Sequence, residues 1–452
     1  MTFKNAIYSR FRAHLNQKIF QLAFPVFLGM TSFTIIQISD TFMVGKLGEY
    51  AIAAAGMGGI AYFTVLAFLM NGSVGIQILT SRRYGEKNPK AIGEILFSVL
   101  IAGIFVSALI TWLGSLFSPY LISRMTPDLK LREEATVYLQ ARFWGTLGYL
   151  MLYTLRGYFD GLGKPIIGMY SAILTMVSNI FFNWIFIYGN LGVPAMGVKG
   201  AGIASSLAGG VGFLVFFLFL FGKETRNYLR LSQYRLRWEI LKTTFRIGFP
   251  SAMDGSLTNI AFLIFNKMAA DIGVESVAAS QIVFSVLTLS FMPGFAFSVA
   301  ATTIFGHAIG SGKFKKAILA TYRSAFFSAI LMGMMGILFI IFGKEIISQF
   351  SEGDKLIHEA YPALVVVSLV QVGDAYHMVF GAALKSAGLV VWVLLSYVIV
   401  SYGIMLPLAY WLGIELGLGT MGLWSSISLW LLILSLLFLW KFRKGDWKSI
   451  QL

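Results

Sequence analysis

The chain has 452 residues, of which 57% are hydrophobic and only 12% carry a charged side chain. Soluble domains are about half apolar and a quarter charged, so this composition excludes a soluble protein and indicates a membrane protein. The net charge of +15 predicts no nucleic-acid partner, because the basic residues lie in short gaps between long apolar runs. Cysteine is absent and the four histidines are scattered, which excludes disulfides and predicts no structural metal.

Apolar stretches long enough to cross the hydrocarbon core of a bilayer, which takes about 20 helical residues, recur along the whole chain. The first follows a basic N-terminus and is too long for a signal peptide, so it is predicted to be retained. The twelve predicted membrane helices are 18–45, 51–80, 92–117, 134–157, 166–189, 196–221, 243–270, 275–308, 317–342, 358–383, 390–412 and 419–440.

The gaps between these stretches alternate in charge. Four basic residues follow the second stretch, seven occupy 223–246, and four lie in the tail after residue 440. The intervening gaps are balanced or acidic. Because basic loops stay on the cytoplasmic side, the pattern predicts a multi-pass protein of the cell inner membrane, surrounded by lipid, with both termini in the cytoplasm.

The two halves of the sequence repeat each other at an offset of about 225. Phe24-Pro25 matches Phe249-Pro250, Gly48 matches Gly273, and Gly163 matches Gly388. Six helices separate the copies, so both have the same orientation and a pseudo-twofold axis runs along the membrane normal. We therefore predict an all-α membrane protein with a six-helix N-lobe (1–222), a cytoplasmic linker (223–242) and a six-helix C-lobe with a short tail (243–452), around a central cavity.

This architecture predicts a secondary transporter that works as a monomer by alternating access of its lobes. The sequence contains no GxxxxGK phosphate-binding loop, which argues against ATP hydrolysis. A membrane enzyme with magnesium at its buried acids is a weaker alternative, since no nucleophile with a base accompanies them. We expect no cofactor beyond the coupling ion and no enzymatic activity.

Ionisable residues inside the membrane are costly and usually mark ion pathways. Asp40 lies in the apolar segment IQISDTFMVG, and Asp254 and Asp374 are predicted at similar depths, where they could face one another. His377 lies on the face of Asp374 as a supporting residue. Two alternatives stay open, namely that Asp40 lies at a helix end near the outer interface and that Asp254 caps a helix broken near Pro250.

Pro25 removes a backbone hydrogen bond from the first helix and is predicted to create a bend below Asp40. A bend at Pro25 would allow protonation of Asp40 to change the shape of the first helix. The alternative is that Pro25 only eases the start of the helix.

Four segments in order resemble signatures of the multidrug and toxic compound extrusion (MATE) family over essentially the whole chain. They are ISDTFMVGKLG (38–48), LRGYFDGLGKP (155–165), VPAMGVKGAGIASS (193–206) and QVGDAYHMVFGAALKSAG (371–388). The resemblance implies antiport, in which organic cations or other amphipathic, drug-like compounds leave the cell as H⁺ or Na⁺ enters.

The resemblance also implies site residues. Asp40, Asn179, Asn183 and Ser205 match the cation site of the N-lobe, and Asp374 matches the aspartate of the C-lobe in the NorM-like branch. Asn183 replaces an aspartate of many DinF-like members, and Thr258 stands where NorM-like members have a glutamate, for which Asp254 could substitute. The branch, NorM-like or DinF-like, and the dominant lobe therefore stay open.

Two further questions stay open at this point. Sodium would need oxygen ligands around Asp40 or Asp374, whereas a proton needs only one carboxylate. A lipid-linked precursor flippase of the same superfamily is the alternative function; it would need basic residues in its cavity, for which Arg142 and Lys267 are the candidates.

Overall fold

The computed structural model describes residues 3–231, 235–350 and 354–450, and every regular element in these ranges is helical. The α-helices are α1 (Phe3–Gly45), α2 (Glu49–Gly85), α3 (Pro89–Met125), α4 (Leu129–Trp144), α5 (Thr146–Gly161), α6 (Pro165–Tyr188), α7 (Gly197–Leu220), α8 (Lys223–Leu231), α9 (Trp238–Ile272), α10 (Val274–Gly310), α11 (Phe314–Ile341), α12 (Gly343–Ser348), α13 (Asp354–Ser368), α14 (Gln371–Ala387), α15 (Val390–Val400), α16 (Leu406–Tyr410) and α17 (Gly419–Lys444). π-Helical turns at Ser401–Met405 and Trp411–Glu415 flank α16, and a 3₁₀ turn (Asp446–Ser449) follows α17.

All twelve predicted membrane segments lie on these helices, and most helices extend a few residues beyond them. Nine uninterrupted helical spans in the described ranges are long and apolar enough to cross a membrane, and the pair α13 and α14, bent by 54°, makes a tenth. The other two predicted segments correspond to α9 and to α4 with α5, and α4 and α5 are each only 16 residues long. The fourth and tenth segments are interrupted, whereas the eleventh is a continuous helix that contains two π-helical turns.

The described chain packs as two compact units. The N-terminal unit is Leu28–Ala252, and the C-terminal unit combines Met1–Phe27 with Met253–Leu452. Both boundaries lie just after a proline inside a helix, Pro25 in α1 and Pro250 in α9, and they are separated by the repeat offset of about 225. The predicted lobes, 1–222 and 243–452, describe the sequence repeat and stay a prediction. The packing units have different boundaries because α1 and α9 each contribute residues to both units.

Pro25 lies in the interior of α1, more than five turns after its first described residue. The alternative that this proline only eases the start of the helix is therefore wrong. Pro250 likewise lies inside α9, which continues to Ile272. The missing N–H of each proline removes one hydrogen bond of its helix, close to the residue at which the helix passes from one unit to the other.

The predicted fourth membrane segment is divided at Gly145, between α4 and α5. A Cβ at Gly145 would lie 2.6 Å from the Cα of Ser206, so glycine permits close approach of α7. The carbonyl groups at the end of α4 are satisfied by hydroxyls, because Ser206 Oγ donates to Ala141 O (2.7 Å) and Thr111 Oγ1 donates to Phe143 O (3.0 Å). Satisfied carbonyls are what allow a helix to break inside an apolar environment.

The predicted linker is partly helical and is attached to the N-terminal unit. Arg237 Nη2 forms an ion pair with Glu94 Oε1 of α3 (3.0 Å), and its backbone N–H donates to Ser98 Oγ (3.1 Å). Lys164 also pairs with Glu224 of α8. These bonds hold the segment between α7 and α9 against the unit to which residues 223–252 belong.

Candidate functional site

A chain of polar side chains lies inside the N-terminal unit. Asn183 Nδ2 donates to Asp40 Oδ1 (2.5 Å) and also contacts Asn179 Oδ1 (3.3 Å), and Asn179 Nδ2 donates to Ser205 Oγ (3.3 Å). Asn179, Asn183 and Ser205 are buried, whereas Asp40 is half-buried. The structure therefore brings together the four residues that the sequence places in one site.

Local packing of three helices explains this arrangement. Asn179 and Asn183 are four residues apart on α6 and so lie on one face. Helices α6 and α7 approach closely at Gly200, where a Cβ would lie 2.3 Å from Phe186 O. The Tyr188 hydroxyl donates to Met43 O (2.8 Å), which holds the end of α1 against α6 and keeps Asp40 beside the two amides.

Arg142, at the end of α4, is a positive charge near this network. Its guanidinium lies 4.5 Å from the ring centroid of Tyr62 and 5.6 Å from that of Tyr149, in cation–π geometry. It interacts with Asp40 through space rather than in a direct ion pair. The Tyr149 hydroxyl donates to Ser205 O (3.1 Å), so the same tyrosine contacts both the polar chain and the arginine.

A second polar chain lies in the C-terminal unit, on α14 and α15. His377 Nδ1 lies 3.0 Å from Asp374 Oδ1, and His377 Nε2 lies 2.6 Å from the Tyr397 hydroxyl. Asp374 is 1% exposed, and its second oxygen, Oδ2, is buried without a hydrogen-bond partner. The histidine therefore has the supporting position that the sequence predicts for it, and its far nitrogen extends the chain to a tyrosine.

Asp254 pairs with a lysine instead of facing Asp374 directly. Lys385 Nζ lies 2.5 Å from Asp254 Oδ2, and the same ammonium lies 5.7 Å from the Tyr397 ring centroid. Asp254 lies well inside the continuous helix α9, so the alternative that it caps a broken helix near Pro250 is wrong. Tyr397 therefore contacts the partner of each aspartate, because its hydroxyl lies beside His377 and its ring lies beside Lys385.

The surroundings of the two predicted ion sites differ in the atoms they offer. Asp374 and His377 are enclosed by aromatic rings, with Trp430 and Phe438 centroids 5.7 and 5.8 Å from the imidazole. Asp40 has amide and hydroxyl neighbours, but the nearest is an N–H donor. Among the residues that the structure describes, no three His, Cys, Asp or Glu side chains form a group that could hold a metal ion.

The sequence has a counterpart in a known family. The MatE family model matches residues 25–185 and again residues 250–411, which together are more than half of the chain. The chain belongs to the MatE family. The two matches begin at the same offset of about 225 as the boundaries of the packing units, so the internal repeat of this MATE protein is a family feature.

Named relatives and solved structures agree with this assignment. "Probable multidrug resistance protein NorM" of Thermotoga maritima is 26% identical over 452 residues, covering 99% of this chain and 96% of the relative. "Multidrug resistance protein MdtK" of Yersinia pseudotuberculosis is 26% identical over 372 residues, covering 82% and 81%. The fold matches the outward-facing conformation of a multidrug resistance MATE family transporter with a TM-score of 0.88, at 23% identity over 96% of this chain and 97% of that one. The predicted all-α membrane fold is confirmed.

Sequence reasoning missed the partners of the acids. Nothing in the sequence pairs Lys385 with an acid, and Tyr397 carries no signal beyond its place in an apolar run. Tyr397 lies 20 residues after His377, beyond the turn at Gly388, whose φ of +104° ends α14. No periodicity within one helix links residues across such a turn, so only the packing of α14 against α15 identifies this contact.

Proposed function

We propose that this MATE protein is a multidrug efflux antiporter that exports organic cations or other amphipathic compounds in exchange for protons entering the cell. The observation that carries the proposal is the buried chain Asp374, His377 and Tyr397, with a carboxylate oxygen that has no partner. It is supported by family membership and by the similarity to relatives named as multidrug resistance proteins.

The chain of hydrogen bonds suits a proton. With Asp374 ionised, His377 donates to it through Nδ1 and accepts from the Tyr397 hydroxyl through Nε2. A proton arriving at Asp374 reverses the preferred direction of both bonds, because a protonated carboxyl donates to Nδ1 and leaves Nε2 as the donor. Protonation at one end thus changes the hydrogen-bonding role of a tyrosine on another helix.

Sodium is less well served by either site. A hard cation needs several oxygen ligands, whereas Asp374 lies beside an imidazole nitrogen and its surroundings are aromatic rings. At Asp40 an amide N–H points at the carboxylate, and the positive Arg142 lies nearby. Both features stabilise the ionised carboxylate of Asp40, so the preference for a proton rests on the Asp374 chain.

Transport follows from these protonation events in the proposal. The chain lies in the cell inner membrane with both termini in the cytoplasm, and it needs no cofactor besides the coupling ion. Protons bind Asp374 and Asp40 from the side of higher proton activity, and the drug leaves by alternating access. Asp254 and its partner Lys385 form an ion pair that neutralises charge inside the C-terminal unit.

The test is drug export from proteoliposomes that contain the purified protein and ethidium, with a pH gradient and a sodium gradient imposed separately. We expect the pH gradient alone to drive export, and Asp374→Asn and Asp40→Asn to abolish this drive. Asp271→Asn, an exposed change of the same type at the end of α9, is the matched control and is expected to leave export unchanged.

Three outcomes would contradict the proposal. Export driven by a sodium gradient alone would show that the coupling ion is sodium and not the proton. Undiminished export by both Asn variants would remove the acids from the mechanism. Movement of a labelled lipid-linked pyrophosphate precursor, without ethidium export, would favour the flippase. Of the two basic residues considered for that function, Lys267 lies on the exposed surface of α9, whereas Arg142 packs against Tyr62 and Tyr149.

A further inference from the structure

A groove on the surface of the N-terminal unit lies between α4 and α7. It has a volume of about 540 Å³, and its lining includes an exposed lysine, Lys199, and an exposed tryptophan, Trp144. This volume falls within the range of about 300–1,000 Å³ that is typical of sites for small organic molecules. None of the residues that line the groove has a role in the proposed antiport.

Small residues bring the two helices together along the floor of this groove. A Cβ at Gly202 would lie 2.8 Å from the Cβ of Ala141, and a Cβ at Gly145 would lie 2.6 Å from the Cα of Ser206. The Ser206 hydroxyl already donates to Ala141 O, so it is satisfied within the protein. The larger apolar side chains of the lining are Val137, Trp144, Ile203 and Leu207. The groove therefore offers a mainly apolar surface to its occupant.

The groove follows the direction of a lipid chain in one leaflet. Lys199 is the third residue of α7, which is long and apolar enough to span a membrane, and Leu207 lies deeper along the same helix. At 1.5 Å per residue these two positions are about 12 Å apart, and one leaflet contributes about 15 Å of hydrocarbon. Trp144 is 74% exposed and Leu207 is 45% exposed. Inside a membrane span, such apolar surface is covered by acyl chains.

The charge at the shallow end of the groove is positive and is not neutralised by its own segment. Residues 189–199, which connect α6 to the start of α7, contain no acidic residue. Among the residues that the structure describes, none forms an ion pair with Lys199. A lysine near a helix end extends its ammonium towards the membrane surface, where lipid phosphates lie. An ammonium above an apolar groove is complementary to a phosphate above an acyl chain.

We infer that this groove binds a phospholipid with an anionic headgroup. One acyl chain lies between α4 and α7, against Trp144 and Leu207, and the headgroup pairs with Lys199. The inference goes beyond the proposed export function and does not depend on it. It assigns the lipid a defined position beside the helix break at Gly145, in addition to the general layer of lipid around the protein.

The test uses Trp144 as a reporter, because bromine atoms on an acyl chain quench tryptophan fluorescence at short range. The full chain is reconstituted in phosphatidylcholine vesicles that contain an equal small fraction of brominated phosphatidylglycerol or brominated phosphatidylcholine. The signal of Trp144 is the difference between the wild type and Trp144→Phe, since the chain has ten tryptophans. We expect phosphatidylglycerol to associate about fivefold more strongly at Trp144, which corresponds to about 1 kcal/mol for one basic residue near anionic lipid.

Three variants of the lysines separate a specific site from general charge attraction. Lys199→Gln should remove the preference for phosphatidylglycerol at Trp144, and Lys199→Arg should keep it. Lys344→Gln, at an exposed lysine of the C-terminal unit, is the matched control and should also keep it.

Three results would overturn the inference. Equal quenching of Trp144 by both brominated lipids in the wild type would leave only the general lipid layer. An unchanged preference in Lys199→Gln would remove the lysine from the site. Loss of the preference on adding ethidium would show that the groove holds the exported compound instead of a lipid.

Discussion

Removing Lys385 should destabilise this MATE protein more than removing Lys385 and Asp254 together. The pair is short, with 2.5 Å between Nζ and Oδ2, and its side chains are only 18% and 9% exposed. Breaking a buried pair from one side costs about 3–5 kcal/mol, because an uncompensated charge remains, whereas replacing both charges by neutral groups of similar size is often nearly neutral. We therefore expect Lys385→Met to lower the melting temperature strongly and the double variant with Asp254→Asn to recover most of the loss.

The assay is thermal unfolding of the purified variants in one detergent, read by loss of the monodisperse fraction. The four proteins of a double-mutant cycle, wild type, Lys385→Met, Asp254→Asn and the double variant, give the coupling between the two side chains. If the double variant is no more stable than Lys385→Met, the loss comes from packing of the lysine stem, and the reasoning from charge is refuted.

Two further predictions concern the two polar chains. Gly200→Ala should destabilise the protein by about 1–3 kcal/mol and reduce export, because the new Cβ would lie 2.3 Å from the backbone oxygen of Phe186, which cannot yield. Gly210→Ala on the same helix, where a Cβ meets nothing within 4 Å, is the matched control and should melt like the wild type, and equal melting of both variants would contradict the packing argument. Tyr397→Phe keeps the ring but leaves His377 Nε2 without its hydrogen-bond partner. We expect this to lower the free energy of unfolding by about 1–3 kcal/mol. It should shift the pH dependence of ethidium export as well as lower stability, and an unchanged pH profile would exclude Tyr397 from the proton pathway.

Much of the fold can be predicted from the sequence because hydrocarbon thickness sets the length of a membrane helix. All twelve predicted segments coincide with helices, and the repeat offset of about 225 reappears in the packing units and in the family match. The interruptions at Gly145 and after Ser368 were not predicted, since hydropathy is the same on both sides of a break. Such breaks depend on which carbonyls a neighbouring helix can satisfy.

The candidate site, like the fold, was only partly predictable from the sequence. Composition and position alone identify the acids Asp40, Asp254 and Asp374, because a carboxylate in an apolar run is rare, and the family resemblance supplies Asn179, Asn183 and Ser205. The partners were decided by tertiary structure: Asn183 is 143 residues from Asp40, and Lys385 is 131 residues from Asp254. Local sequence determines that a helix forms and which residues are apolar, but the rotation and crossing of helices determine which side chains meet, and those depend on packing across the whole unit.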